Sequence, residues 1–125
     1  MSSRCALSTN DSQISTFLMA DNALLVFSTF PDVATARRIG RELVEQRCAA
    51  CANILPQIES IYWWVRKVEN ATETLVLFKT SAERYQALES TLRRLHPYDV
   101  PEIIALPVTA GLPAYLSWVT ENCTL

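Results

Sequence analysis

Residues 60–80, SIYWWVRKVENATETLVLFKT, decide the fold of this chain. The first part, residues 60–68, is rich in aromatic and β-branched residues, which favour β-strands. Residues 69–71 predict a turn, and the chain returns as a second strand over residues 72–80. The segment therefore predicts a long β-hairpin, whose extended pattern already begins at Cys51.

The elements on either side of the hairpin complete a regular order. Residues 23–30 are apolar and predict a buried strand, and Asp32 can cap the helix that follows. After the hairpin, the capping-box spacing of Thr80 and Glu83 predicts the start of a second helix. A third extended segment over residues 101–108 and a short C-terminal helix complete the chain.

The predicted order is β-α-β-β-α-β followed by a C-terminal helix, which is the ferredoxin-like arrangement of the α+β class. Helices cover one face of such a sheet. The other face carries many apolar residues from the hairpin, and an exposed apolar face of this size implies a partner. We therefore expect a homo-oligomer that is joined through sheet faces or edges.

Length and charge indicate the class of protein. The 125 residues fit one domain, which we place at residues 23–125 after a polar N-terminal extension over residues 1–22. The formal net charge of −2 gives no basic excess for binding nucleic acid or an anionic membrane surface. No apolar run approaches the ~20 residues that a membrane span needs. These features predict a cytoplasmic protein whose cysteines are reduced thiols.

Possible site chemistry is concentrated in residues 96–102, HPYDVPE. His96 is the only histidine, and one imidazole does not make a tight metal site without further ligands. Tyr98, Asp99 and Glu102 offer oxygen atoms nearby in the sequence. The chain has neither a glycine-rich phosphate loop nor a serine or cysteine with a second histidine to activate it, so we do not expect an enzyme.

Two further motifs each allow two interpretations. Cys48 and Cys51 have CxxC spacing, but the pair follows a predicted helix end, where the helix dipole disfavours a thiolate. We interpret both as structural cysteines. The aromatic run at residues 62–64 favours an oligomer interface, and it can also form one wall of a pocket at a subunit boundary.

Four ordered motifs closely resemble the CutA family of divalent-cation tolerance proteins. They are residues 53–56 (NILP), 58–64 (IESIYWW), 77–80 (LFKT) and 96–107 (HPYDVPEIIALP), within a resemblance over about residues 23–120. The resemblance implies a ferredoxin-like subunit in a homotrimer and a role in the response to divalent metal ions such as Cu²⁺. The alternative is a PII-like small-ligand-binding trimer, or a structural trimer with no direct metal role.

The resemblance leads to a hypothesis for the site and shows where this chain departs from the family. The hypothesis is a pocket between subunits, with His96 as a weak, exchangeable metal ligand beside Tyr62, Trp64, Lys79, Tyr98 and Glu102. The family cysteine on the first strand is Ser28 here, a second histidine found in some relatives is Leu95, and the family's Glu-Gly pair is Val65-Arg66. Because copper prefers soft or imidazole ligands, these departures weaken the case for copper.

Overall fold

A computed structural model describes residues 22–125, and the predicted N-terminal extension over residues 1–22 lies outside them except for Asn22. Within this part of the chain the elements are β1 (Ala23–Phe30), α1 (Val33–Glu45), β2 (Cys51–Trp64), β3 (Lys67–Ser81), α2 (Tyr85–Leu95), β4 (Ile104–Pro107) and α3 (Pro113–Asn122). The strands form one antiparallel sheet in the order β2-β3-β1-β4. The predicted α+β, ferredoxin-like arrangement is confirmed.

Asp32 caps α1, as its position in the sequence predicts. The Thr35 N–H donates to Asp32 Oδ1 at 2.7 Å, which satisfies one of the free N–H groups of the first turn. The same hydrogen bonding lowers the pKa of the Asp32 carboxyl from its usual value. At the other end, Arg47 has a φ of 58°, a left-handed conformation in which the helix cannot continue.

The second helix begins later than the capping-box spacing predicts. Thr80 lies in β3, and its hydroxyl donates to the backbone oxygen of Cys48 at 2.6 Å instead of capping a helix. Ser81 Oγ accepts the N–H of Arg84 at 3.2 Å, and α2 starts at Tyr85. The predicted cap fails because the β1–β3 ladder continues to Ser81 and holds this backbone extended.

Helices α1 and α2 cover one face of the sheet, which we call the helix face. Cross-strand partners point to the same face, and the register pairs Val26 with Phe78 and Ser28 with Val76 on this side. The largest buried apolar side chains come from the sheet and from both helices: Val26, Phe30, Ile39, Leu43, Val76, Phe78, Leu88 and Leu92. The helix face is therefore the hydrophobic core of the subunit.

The opposite face of the sheet, which we call the open face, has little cover. It consists of Leu25, Phe27 and Thr29 of β1, Cys51, Asn53 and Leu55 of β2, Leu75, Leu77 and Lys79 of β3, and Ile104 and Leu106 of β4. Ile104 and Leu106 are 52% and 48% exposed. Helix α3 reaches only the end of this face, where Val119 and Cys123 pack on Ala23. A sheet face this apolar is typical of an interaction surface.

The β2–β3 hairpin extends well beyond the rest of the sheet. Strand β1 ends at Phe30, opposite Thr74, whereas β2 and β3 stay paired as far as Trp64 and Lys67. The seven further residues of each strand carry the hairpin ~23 Å past the end of β1. Near its tip Trp63 and Trp64 are 73% and 65% exposed, so the hairpin carries a large apolar surface that its own subunit does not cover.

A β-bulge lies at the base of this hairpin. The register shifts between Leu55 and Ile58, where Pro56 and Gln57 together lie opposite Thr74. The Thr74 hydroxyl donates to the backbone oxygen of Pro56 at 2.8 Å and holds the bulge. Proline is tolerated here because an unpaired bulge residue needs no N–H for the ladder.

The turn predicted at residues 69–71 is wrong, since these residues lie within β3 and the hairpin turns at Val65-Arg66. Both turn residues have positive φ, 48° and 65°, as a two-residue type I′ turn requires. The resulting register pairs Ala52 with Phe78 on the helix face. A turn at 69–71 would lose that pairing, so burial of the sheet outweighs the local turn preference.

Replacing Val65-Arg66 by Asn-Gly is expected to raise the free energy of unfolding by about 1–2 kcal/mol. A β-branched residue at positive φ is a strained outlier, and Asn-Gly adopts this turn without strain. Urea unfolding at fixed protein concentration measures the gain. Val65→Thr, which stays β-branched, is the control and should bring no gain in stability. If the Asn-Gly variant is no more stable than the parent, the turn at Val65-Arg66 is not strained.

Candidate functional site

His96 lies at a buried corner between α2 and the segment that leads to β4. It ends α2, with its backbone N–H donating to Leu92 O at 2.9 Å, and its side chain is only 7% exposed. Its Nε2 is 2.8 Å from the backbone oxygen of Thr29, and its Nδ1 accepts the Tyr98 N–H at 3.1 Å. Since a carbonyl only accepts, the ring is the neutral tautomer with its proton on Nε2.

The imidazole is also held between two aromatic rings. It stacks on Phe30 with ring centroids 4.6 Å apart and lies tilted against Tyr98 at 4.8 Å. Burial lowers the pKa of His96, and the Thr29 carbonyl and the charge of Glu73 oppose this only in part. The corner therefore favours an uncharged histidine with both ring nitrogens in use.

Tyr98 connects this corner to the base of the hairpin. Its hydroxyl donates to Glu73 Oε2 at 2.8 Å, and Glu73 lies just beyond the end of β1 on the side of the open face. Burial raises the pKa of the Tyr98 phenol, and the Glu73 carboxylate raises it further. Glu73 is not among the predicted site residues, because its contact with Tyr98 depends on how the corner segment meets β3 in the fold.

The donor set around His96 does not by itself form a metal centre. Among residues 22–125, no group of three or more histidine, cysteine, aspartate or glutamate side chains is arranged to hold a metal ion. A metal on His96 would have to displace either the Tyr98 N–H from Nδ1 or the Thr29 oxygen from Nε2. The role of His96 as an exchangeable ligand remains a prediction.

Ser28 and Leu95, which stand where the resemblance implies a family cysteine and a second histidine, both point into the subunit. Ser28 is fully buried on the helix face, and its hydroxyl is the one buried side-chain oxygen or nitrogen in the described part of the chain without a hydrogen-bond partner. Leu95 is half-buried and packs against the core. Neither position offers a ligand at the surface.

Replacing Ser28 by Ala is expected to raise the free energy of unfolding by about 1 kcal/mol. The buried Ser28 hydroxyl loses its hydrogen bonds to water on folding and gains none in the protein, and alanine avoids this loss. Urea unfolding measures the change. The matched control is Ser90→Ala on α2, where the hydroxyl is exposed and donates to Gln86 O at 3.0 Å. A Ser28→Ala protein less stable than the parent would indicate a partner that the described residues do not supply.

One subunit does not bring the remaining predicted pocket residues together. Trp64 pairs with Lys67 at the tip of the hairpin, and Lys79 lies twelve residues along β3, a separation of about 40 Å. Tyr62 lies two residues before Trp64, yet it is close enough to Tyr98 to contribute to raising the pKa of that phenol. Glu102 is exposed beyond the corner. A pocket that includes all of them requires the hairpin of another subunit, so the intersubunit pocket stays a prediction.

Lys79 has its own aromatic surroundings at the far end of the open face. Its Nζ lies 5.4 Å from the centre of the Tyr115 ring, and Tyr115 stacks on Trp118 with centroids 5.6 Å apart and ring planes 22° from parallel. Both rings remain about two-fifths exposed. Nothing in the local sequence marks Tyr115 as a neighbour of Lys79, since this contact depends on where α3 meets β3.

Comparisons with known proteins point to one family. The sequence model described as "CutA1 divalent ion tolerance protein" matches residues 24–122. The chain is similar to Protein CutA of Mus musculus, with 48% identity over 95 residues, covering 76% of this chain and 54% of the mouse protein. It is similar to the divalent-cation tolerance protein CutA of Thermus thermophilus, with 45% identity over 98 residues, covering 78% of this chain and 95% of that protein.

Solved structures agree with the sequence comparison. The crystal structure of CutA from Xylella fastidiosa superposes with a TM-score of 0.80 at 43% identity, covering 82% of this chain and 99% of that one. The match spans only about half the length of the mouse and human proteins. No helix within residues 22–125 is long and apolar enough to cross a membrane.

Proposed function

The chain belongs to the CutA1 family of divalent ion tolerance proteins, and from this membership we propose that it contributes to divalent-cation tolerance as a cytoplasmic homotrimer with no catalytic activity. The observation that carries the proposal is the family match over residues 24–122, which includes the hairpin and the corner at His96. The open face and the hairpin support an oligomer, because neighbouring copies of the chain would remove both apolar surfaces from water. Three copies are what the family resemblance implies.

In this proposal a divalent cation such as Cu²⁺ binds weakly and reversibly at the cleft between subunits. His96 is the ligand, and Tyr62, Trp64, Lys79, Tyr98 and Glu102 form the pocket around it. Imidazole suits Cu²⁺, and the Nδ1 of His96 becomes available when the bond from the Tyr98 N–H opens. Because binding requires that opening, the affinity is low and the ion exchanges readily.

A second candidate is a PII-like small-ligand-binding or structural trimer with no direct metal role. The observation that favours it is that both ring nitrogens of His96 are hydrogen-bonded within the subunit. In this case His96 acts only by holding the corner segment against Thr29, and tolerance of metals follows indirectly from whatever the trimer binds.

A Cu²⁺ titration separates the two candidates. Isothermal titration compares the parent with His96→Gln, both in a Cys51→Ser background, because the half-exposed Cys51 thiol would itself bind copper. Direct ligation predicts one ion per subunit and a loss of about tenfold or more in affinity for His96→Gln. Equal affinities would remove His96 from the metal site and favour the second candidate.

The trimer itself is tested by sedimentation equilibrium on the full chain. The proposal predicts a mass of three chains for the parent and for His96→Gln. A mass of one chain for the parent would overturn the assembly, whatever the copper titration shows.

A further inference from the structure

Lys79 is the single charged side chain on the open face as defined above. The other positions of that face are apolar or uncharged, including its cross-strand neighbours Leu25 and Cys51. Among the described residues, no carboxylate lies within 4 Å of the Lys79 ammonium. The ion pair in that part of the chain joins Arg41 to Glu45, both on α1. Within residues 22–125, the Tyr115 ring is therefore the one group found to interact with the charge of Lys79.

Covering the open face in a trimer changes the situation of this charge. An ammonium that loses its water needs an anionic partner, because desolvation of an unpaired charge is strongly unfavourable. A cation–π contact with one ring compensates only a small part of that loss. An anion beside Lys79 would compensate this loss in a trimer whose neighbouring subunits close over the face.

The aromatic pair beside Lys79 indicates what kind of anion fits. Tyr115 and Trp118 lie stacked and nearly parallel, and each is about two-fifths exposed, so the pair presents free ring surface next to the ammonium. Planar rings stack on such surfaces. A lysine ammonium pairs with a carboxylate or a phosphate as a point charge.

We propose that Lys79, Tyr115 and Trp118 form a binding site for a small planar organic anion, with a carboxylate or phosphate group on the Lys79 ammonium and a ring against the aromatic pair. The inference rests on the proposed trimer, which closes the site. It extends the proposed function, because it names the class of small molecule that the cleft between subunits would bind. The carboxylate of a neighbouring subunit is the competing source of the same negative charge. Glu73 of the same subunit does not supply it, because it lies six residues along β3, about 20 Å away.

Isothermal titration of the trimer with salicylate and with phenyl phosphate tests the site. We expect both probes to bind, and Lys79→Gln to weaken binding by about tenfold or more while Lys79→Arg stays within about threefold. Trp118→Leu should weaken both probes but leave acetate, which has no ring, unaffected. Arg37→Gln, which removes an exposed positive charge on α1, is the matched control and should bind like the parent.

Any other result of these titrations contradicts the proposed anion site at Lys79. If neither probe binds and Lys79→Gln dissociates the trimer, a neighbouring subunit's carboxylate pairs with Lys79 and the proposal is overturned. Binding that is unchanged in Lys79→Gln would also overturn it, while the trimer stands. A monomeric parent chain would overturn the proposed function and the inference together.

Discussion

A Phe27→Glu substitution is expected to convert the proposed trimer into single subunits. Phe27 lies in the middle of the open face, where its cross-strand partners are Leu77 and Ile104. An unpaired carboxylate buried in such an interface costs about 3–5 kcal/mol, which corresponds to a fall in the association constant of about 150-fold to several thousandfold. Sedimentation velocity at micromolar concentration measures the change from three chains to one.

The control for this prediction is Val100→Glu, which introduces the same charge at a position on the corner segment that is 89% exposed. It should remain a trimer. Leu106→Glu, on the short edge strand β4, is a second variant of the open face. Its added charge disturbs the folding of a single subunit less, because Leu106 is half-exposed. If circular dichroism shows folded protein and both open-face variants still sediment as three chains, the subunits must meet elsewhere.

A His96→Phe substitution is expected to lower the free energy of unfolding by about 2–4 kcal/mol. Phenylalanine keeps a ring on Phe30 but leaves the buried Thr29 oxygen and the part-buried Tyr98 N–H without partners. Urea unfolding at one fixed protomer concentration measures the loss, because the stability of an oligomer depends on concentration. Tyr98→Phe, which loses only the bond to Glu73, should cost about 1 kcal/mol.

The pH dependence of stability gives His96 a second signature. Its folded pKa lies below the unfolded value of 6.5, so the unfolded chain binds more protons in the interval between the two. The contribution of His96 to the free energy of unfolding is fully present above pH 6.5, and it decreases as the pH drops toward the folded pKa. The parent should lose stability over this interval and His96→Phe should not. Parallel curves for the two proteins would contradict the buried neutral imidazole.

Most of the fold could be predicted, because it follows from patterns that are local in the sequence. The apolar run at residues 23–30, the cap at Asp32 and the helix stop before Pro97 each act within a few residues. The hairpin turn could not be predicted, since Val65-Arg66 lacks the Asn or Gly that marks a type I′ turn. Its position is fixed by sheet burial far from the turn itself.

The candidate site was harder to predict than the fold for a related reason. His96 stands out as the only histidine, yet the groups that define its chemistry come from Thr29, 67 positions away, and from the Tyr98 backbone. Glu73 is 25 positions from Tyr98, and nothing in either local sequence marks the contact. Pairings of this kind depend on strand register, which periodicity alone does not supply.

The bulge at Pro56 determines which set of aromatic side chains the hairpin offers to a neighbour. Below it, odd-numbered residues of β2 such as Leu55 lie on the open face; above it, the extra residue transfers that side to even-numbered positions such as Tyr62 and Trp64. If the same strand paired without the bulge, Trp63 would lie opposite Lys67 and take the side that Trp64 has now. Losing Pro56 or Gln57 would remove the bulge but keep Trp64 opposite Lys67. Over evolution this segment can therefore lose its extra residue and still offer the same aromatic side chains to a neighbour.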